Sequence, residues 1–111
     1  MTTSVTVQDD ATVLTVAGEV DLATAPALEN AIDSTLAGKP GALVIDLSEV
    51  SFLASAGMAA LVAAHKRAGG TRIAVVADGP ATSRQLKMTN LDQVFALHPT
   101  LDEALGALRQ N

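Results

Sequence analysis

The chain has 111 residues, 49% of them hydrophobic and 2% aromatic, with no cysteine and a formal net charge of −5. That length makes a single domain, 1–111, with a real but almost wholly aliphatic core. The missing thiols exclude thiol catalysis, thiol redox sensing and zinc–thiolate sites and fit a cytoplasmic protein; the negative charge argues against a nucleic-acid partner, which needs clustered Lys and Arg.

Met1 to Val5 lacks the basic start and long apolar stretch of a signal peptide. No apolar run approaches the length of a membrane span, so no direct membrane insertion is expected. Val5 to Val7 alternates weakly, Asp9-Asp10 reads as a turn, and Thr12 to Ala17 resumes a β-branched pattern, which predicts a hairpin. Gly18-Glu19-Val20-Asp21 closes the second strand. Thr24 reads as a helix N-cap and Pro26 fits the first turn. Leu28, Ala31, Ile32, Thr35 and Leu36 then recur at helical spacing, opposite Glu29, Asn30 and Asp33. Gly38 to Gly41 stops that helix.

Leu43 to Leu47 is an apolar, β-branched run that reads as a strand buried on both faces. A polar loop is expected after it, and Ser55-Ala56-Gly57 leads into an alanine-rich helix from Met58 to Ala68. This places Ser55 at the helix start, where its hydroxyl can cap free backbone N–H groups. It also lies beyond the carboxyl end of a central strand, where open α/β sheets carry their working surface. Gly69-Gly70-Thr71 is a turn, Arg72 to Ala77 a buried strand, and Asp78-Gly79-Pro80 a break. Ala81 to Met88 reads as a short helix with Leu86 inward, Val94 to Leu97 as an edge strand. Thr100-Leu101-Asp102-Glu103 has the form of a capping box, followed by an amphipathic helix through Leu101, Ala104, Leu105 and Leu108. The order β-β-α-β-α-β-α-β-α, with right-handed crossovers, predicts an α/β domain with the first strand at an edge. A mixed sheet of four or five strands and about four helices is expected.

If the chain has a single functional atom, it is expected to be the oxygen of Ser55, set against a plain capping role. Gly57 serves either close approach by a partner or tight helix–sheet packing. Leu53 and Met58 are either partner contacts or core. Asp46 and Asp21 have no supporting histidine or third acid at helical spacing, which favours local hydrogen bonding over a metal or acid–base site. His65 sits where a histidine interacts well with a helix C-terminus. No Ser–His–acid arrangement can be inferred, and a phosphate-binding loop ending in Lys-Ser/Thr is absent. No catalytic residue, metal or cofactor is expected.

Three segments carry a resemblance that covers almost the whole chain. They are Gly18-Glu19-Val20-Asp21, then Asp46 to Leu53 with Ser55-Ala56-Gly57-Met58, and Met88-Thr89-Asn90-Leu91. In this order and spacing the chain resembles bacterial anti-sigma factor antagonists of the STAS domain family. The resemblance implies a switchable binding protein, not an enzyme. Its partner would be an anti-sigma factor, often itself a serine kinase with an ATP-binding fold. That kinase phosphorylates the serine of an Asp-Ser-Ser/Thr-Gly motif, and a phosphatase restores binding. Ser55 matches the phosphorylated serine and Asp21 an acidic position that contacts the kinase. Ala54 and Ala56 stand where the family has the aspartate and the second hydroxyl residue. The implied partner surface comprises Glu19, Asp21, Leu53, Ala54, Ser55, Ala56, Gly57 and Met58. The resemblance also implies an alternative, a non-phosphorylated STAS-type subunit of a membrane lipid transporter or stress-signalling assembly. Neither version specifies an oligomeric state.

Overall fold

The structure, a computed structural model, describes residues 1–109. Strands β1 (Thr2–Gln8) and β2 (Ala11–Val20) form an antiparallel hairpin closed by Gln8 opposite Ala11. Its turn residues Asp9 and Asp10 have φ of 51° and 66°. Two successive positive values are what a two-residue hairpin turn requires, and aspartate tolerates them. Then come α1 (Ala25–Ala37), β3 (Ala42–Leu53), α2 (Ser55–Arg67), β4 (Arg72–Val76) and α3 (Ser83–Met88). A 3₁₀ turn at Leu91–Gln93, β5 (Ala96–His98) and α4 (Leu101–Arg109) complete the described chain.

The strands lie in the order β1-β2-β3-β4-β5, and every pair after the hairpin is parallel. Each crossover steps one strand further in the same direction, so right-handed connections put α1, α2 and α3 on one face. There Leu14, Val16, Leu43, Ile45 and Leu47 of the sheet pack with Leu28, Ile32, Leu61, Ala64 and Leu86 of the helices. On the other face Ala104 and Leu105 of α4 meet Val13, Val44 and Val76. β3 is the centre, buried on both faces from Ala42 to Leu47. Each fully buried Leu or Ile contributes about 1.5–3 kcal/mol, which lets a core nearly free of aromatics hold the sheet.

The expected α/β class, hairpin, edge position of the first strand and parallel crossovers are all observed. Several boundaries differ; β1 and β2 both run longer than the expected Val5 to Val7 and Thr12 to Ala17. Ser48 to Leu53, expected as a polar loop, is strand: β3 continues along β2 after its pairing with β4 ends at Asp46 opposite Val76. With no strand on its other side, Ser48, Glu49 and Ser51 face water while backbone pairing to β2 persists. The edge strand expected at Val94 to Leu97 lies at Ala96–His98, because the 3₁₀ turn before it delivers Phe95 into the core. The helix expected from Ala81 begins at Ser83, whose hydroxyl accepts the Gly79 N–H at 2.9 Å and closes a turn first. The Thr100 hydroxyl accepts the Glu103 N–H at 3.2 Å, one half of the expected capping box. The expected domain end at residue 111 lies outside the described residues. No helix among the described residues is long and apolar enough to cross a membrane.

Candidate functional site

Two irregularities in the β2–β3 register build the site. After Thr15 opposite Asp46 the pairing moves to Ala17 opposite Glu49, and after Gly18 opposite Val50 to Glu19 opposite Phe52. β3 gains one residue at each step, and bulges of this kind increase twist and re-aim side chains. Gly18 lies between them at φ 91°, a conformation L side chains rarely adopt. The paired residues Val20 and Leu53 both turn into the core, while Glu19 and Phe52 face out. The Ala54 N–H then donates to the Val20 carbonyl at 2.8 Å. Asp21 and Ser55 are the residues that follow this bonded pair. The β2–α1 loop and the start of α2 therefore sit side by side at the carboxyl ends of central strands.

Ser55 opens α2 without capping it. The N-cap is Ala54, extended at φ −83° and ψ 168°, and its carbonyl accepts the N–H groups of Gly57 at 2.9 Å and Met58 at 3.1 Å. The bond to Val20 fixes Ala54 in this extended state, which moves Ser55 one position into the helix. The expected capping role of Ser55 is corrected accordingly. Its side chain is exposed, and its hydroxyl has no hydrogen-bond partner among the described residues.

Asp21 is held by Thr24. The Asp21 N–H donates to the Thr24 hydroxyl at 2.8 Å, and the Asp21 carboxylate accepts the Thr24 N–H at 3.0 Å and its hydroxyl at 3.1 Å. This reciprocal pair resembles a capping box and stiffens the turn before α1. Thr24 occupies the expected N-cap position of α1, but its side chain makes no cap bond because it is engaged with Asp21. The Thr24 N–H, and next its hydroxyl, hold the Asp21 carboxyl below its ordinary pKa. A depressed folded-state pKa contributes stability above the unfolded-state value and loses it as pH falls through the folded one. A carbon-detected NMR titration should therefore give Asp21 a midpoint below an ordinary aspartate, with the Thr24 amide shift following it. A midpoint at or above about 3.9 would remove the Thr24 clasp from the account.

The remaining expected site residues divide cleanly. Glu19 is exposed and Ala54 and Ala56 are half-buried at the surface. Leu53 and Met58 are core, 2% and 8% exposed, so their side chains are not free partner contacts. Gly57 is buried beneath α2, and an added Cβ there would lie 2.6 Å from Val20 Cγ1 and 2.8 Å from Leu53 Cδ1. Tight packing is its role. Apolar surface near the site comes instead from residues not singled out in the sequence: Leu22 (80% exposed) in the Asp21–Thr24 turn and Phe52 (52%) at the end of β3. Met88 (70%) ends α3, next to Thr89, whose hydroxyl contacts the Met58 sulfur at 3.6 Å. Leu22 also lines a shallow groove of about 260 Å³ between α1 and α2, with Ala25, Pro26, Ala56, Ala59 and Ala60. The sequence signal for Leu22 was an apolar residue inside an otherwise polar turn; for Phe52 there was none without the bulge.

Elsewhere the bland readings stand. The Asp46 carboxylate accepts the Ser48 N–H at 2.9 Å. His65, exposed in the last turn of α2, meets Phe95 edge-on with ring centroids 5.6 Å apart. Among the described residues no group of three His, Cys, Asp or Glu side chains could hold a metal ion.

An open mixed sheet with three helices on one face, whose central strand ends in an exposed serine at a helix start, defines a STAS-like α/β domain. The chain belongs to the STAS domain family, which it matches over residues 2–104. It is 43% identical over 110 residues to the anti-sigma-F factor antagonist RsfB of Mycobacterium tuberculosis, a match covering 98% of this chain and 90% of that one. The crystal structure of an anti-sigma factor antagonist from Mycobacterium paratuberculosis superimposes with a TM-score of 0.95 at 51% identity, covering 98% of this chain and 94% of that one. SpoIIAA in its unphosphorylated form, an anti-sigma factor antagonist, shares the fold with a TM-score of 0.73 at 16% identity, covering 99% of this chain and all of the other.

Proposed function

We propose that this chain is a cytoplasmic anti-sigma factor antagonist, with residues 1–111 acting as one unit. It binds an anti-sigma factor and so releases a sigma factor for transcription. The RsfB relative, at 43% identity over nearly the whole chain, supports the class. The reading is of a binding protein, with the chemistry of the switch supplied by others: an anti-sigma factor with serine kinase activity and a phosphoserine phosphatase. Ser55 is the modified residue. The observation that carries this is its exposed hydroxyl, unengaged among the described residues and one residue past the Ala54–Val20 bond that brings it beside Asp21.

The physics of the modification suits a switch. A phosphoserine adds about −1.5 to −2 charges and three strong acceptors. At the start of α2 it meets free backbone donors and the positive end of the helix dipole, so folding tolerates it. The binding surface does not, because Glu19 and Asp21 already make it acidic. Exposed Leu22, Phe52 and Met88 supply the apolar contacts, and the half-buried Ala54 and Ala56 leave room for close approach. With acids at this rim, the matching surface of the partner is basic.

The test is capture from source-cell lysate on the wild-type chain, followed by elution with Mg-ATP and mass spectrometry of bait and eluate. An anti-sigma factor should be retained, then released as phosphate accumulates on Ser55. Retention of no anti-sigma factor sinks the class; retention with phosphate on another residue, or with none, sinks the Ser55 switch alone.

A further inference from the structure

We propose that two copies of this chain pair through their β1 strands, antiparallel and in register about Val5, to make one continuous ten-stranded sheet across a two-fold axis. The five-stranded sheet has two edges, and they are treated differently. β5, at one edge, is three residues long and is followed at once by Pro99. A short strand and a proline are two of the ways proteins keep an edge from pairing. β1, at the other edge, is seven residues long, Thr-Thr-Ser-Val-Thr-Val-Gln, and exposed at every position. It has no charge, no proline and no bulge against β2. Its residues are mostly β-branched, the types that favour strand pairing. None of the usual edge defences is present.

The hairpin fixes which groups that edge offers. In a two-residue hairpin the closing pair, here Gln8 and Ala11, is hydrogen-bonded, and bonded and non-bonded pairs alternate from there. Gln8, Thr6, Ser4 and Thr2 therefore direct their N–H and C=O groups at β2. Thr3, Val5 and Val7 direct theirs outward, along the open edge. Placing Val5 opposite Val5 of a second copy sets Thr3 opposite Val7 and Val7 opposite Thr3. All three outward residues on each copy then exchange bonds with a residue of the same set.

Side chains select the same register. Val5 lies opposite Leu14 and Val7 opposite Thr12, so both valines point to the helix-layer side of the sheet, yet α1 leaves them 55% and 73% exposed. Self-pairing about Val5 lines up Thr3, Val5 and Val7 with their counterparts as one β-branched row. Each opposed β-branched pair is favourable. Charge chooses the direction. Of the nearest acids in sequence, Asp9 is ion-paired with Arg109. Asp10, with no ion pair among the described residues, lies beyond the carboxyl end of β1, so antiparallel pairing holds the two Asp10 carboxylates at opposite ends of the seam. Parallel pairing would set them against each other. An antiparallel self-pair is also isologous and closes at two copies instead of growing into a filament.

The contact is a single strand edge, below the area of a standard stable interface, so a dissociation constant from about 10 μM to 1 mM is expected. β1 lies across β2 from β3 and α2, and the pairing leaves Ser55 accessible; it does not depend on the function proposed above. Sedimentation velocity over a concentration series should show a monomer–dimer equilibrium for the wild type. Val5→Lys puts two ammonium groups face to face at the axis and should weaken the dimer at least about tenfold, with an unchanged circular dichroism spectrum. Because the chain has no cysteine, single-cysteine variants read the register directly. Val5→Cys should form a disulfide-linked dimer on mild oxidation, since bonded antiparallel positions lie about 5.5 Å apart at Cα. A mixture of Thr3→Cys and Val7→Cys should cross-link between the two variants in preference to either with itself. A chain that stays monomeric to about 1 mM, a dimer indifferent to Val5→Lys, or cross-links in another register overturns the proposal.

Discussion

Gly57→Ala should destabilise the domain by about 1–2 kcal/mol, although alanine is the better helix former. Replacing a mid-helix glycine by alanine is intrinsically worth up to about 1 kcal/mol. Here the added methyl falls 2.6 Å from Val20 Cγ1 and 2.8 Å from Leu53 Cδ1, inside the distance at which carbon atoms repel. Neither neighbour can swing away, since Val20 is 0% and Leu53 2% exposed. Overpacking of this kind costs about 1–3 kcal/mol, and the first turn of a helix gains least from propensity, so sterics win. Urea unfolding measures the loss. The cause is tested by a double-mutant cycle with Val20→Ala, which opens the space the methyl needs. The pair should be less destabilised than the sum of the single variants by about 0.5–2 kcal/mol. Gly57→Ala as stable as wild type, or strict additivity with Val20→Ala, would mean that the helix is not seated this closely. The effect reaches the site as well, because α2 is held to β2 through the Ala54 N–H and the Val20 carbonyl, and Ser55 and Asp21 follow from that bond.

The same bond explains what was legible in the sequence and what was not. Element types and order followed from local chemistry: β-branched runs in β2, β3 and β4, helical spacing in α1 and α4, Gly and Pro between them. The hairpin followed from Asp9-Asp10, the edge position of β1 from the order of elements and their right-handed crossovers. Ser55 at the junction of strand and helix was placed by the same reading, whereas Asp21 as its neighbour was implied only by the family resemblance. Boundaries set by non-local pairing were not visible. Ser48, Glu49 and Ser51 face water within a strand because β4 has already ended, a fact about a strand over twenty residues away. Whether Ser55 or Ala54 caps α2 cannot be read from either residue, since it depends on a backbone bond to Val20. Leu53 was open between partner contact and core, and no orientation was expected for Phe52: two bulges set the inward phase, so Leu53 packs beneath Gly57 and Phe52 is left outside. Met58 was open between core and contact, and only packing against the sheet decides it.

Ser55 variants should separate binding from folding. Ser55→Ala should be as stable as wild type to within about 0.5 kcal/mol, because the hydroxyl it removes bonds to nothing among the described residues. A capping serine would instead cost about 1 kcal/mol on the same change. Ser55→Glu places a carboxylate at the first position of a thirteen-residue helix whose first turn contains no acid. The helix dipole should make that variant equal to or more stable than wild type, by about 0.3–1 kcal/mol at low salt. Affinity for the proposed anti-sigma factor should move the other way. Ser55→Ala should bind within a few-fold of wild type and resist kinase-driven release, while Ser55→Glu should lose about 100-fold or more, since like charge and bulk set into an interface cost several kcal/mol. Raising the salt concentration should shrink the stability gain of Ser55→Glu and recover only part of its lost affinity, because the added volume is not screened. Isothermal titration of the three proteins against the purified partner, beside their urea transitions, measures both axes. Equal affinities would return Ser55 to the role of an ordinary surface serine. A Ser55→Glu variant that loses stability together with binding would show that the helix start cannot accept an anion, and the switch would have to act by unfolding the site instead of by repelling the partner.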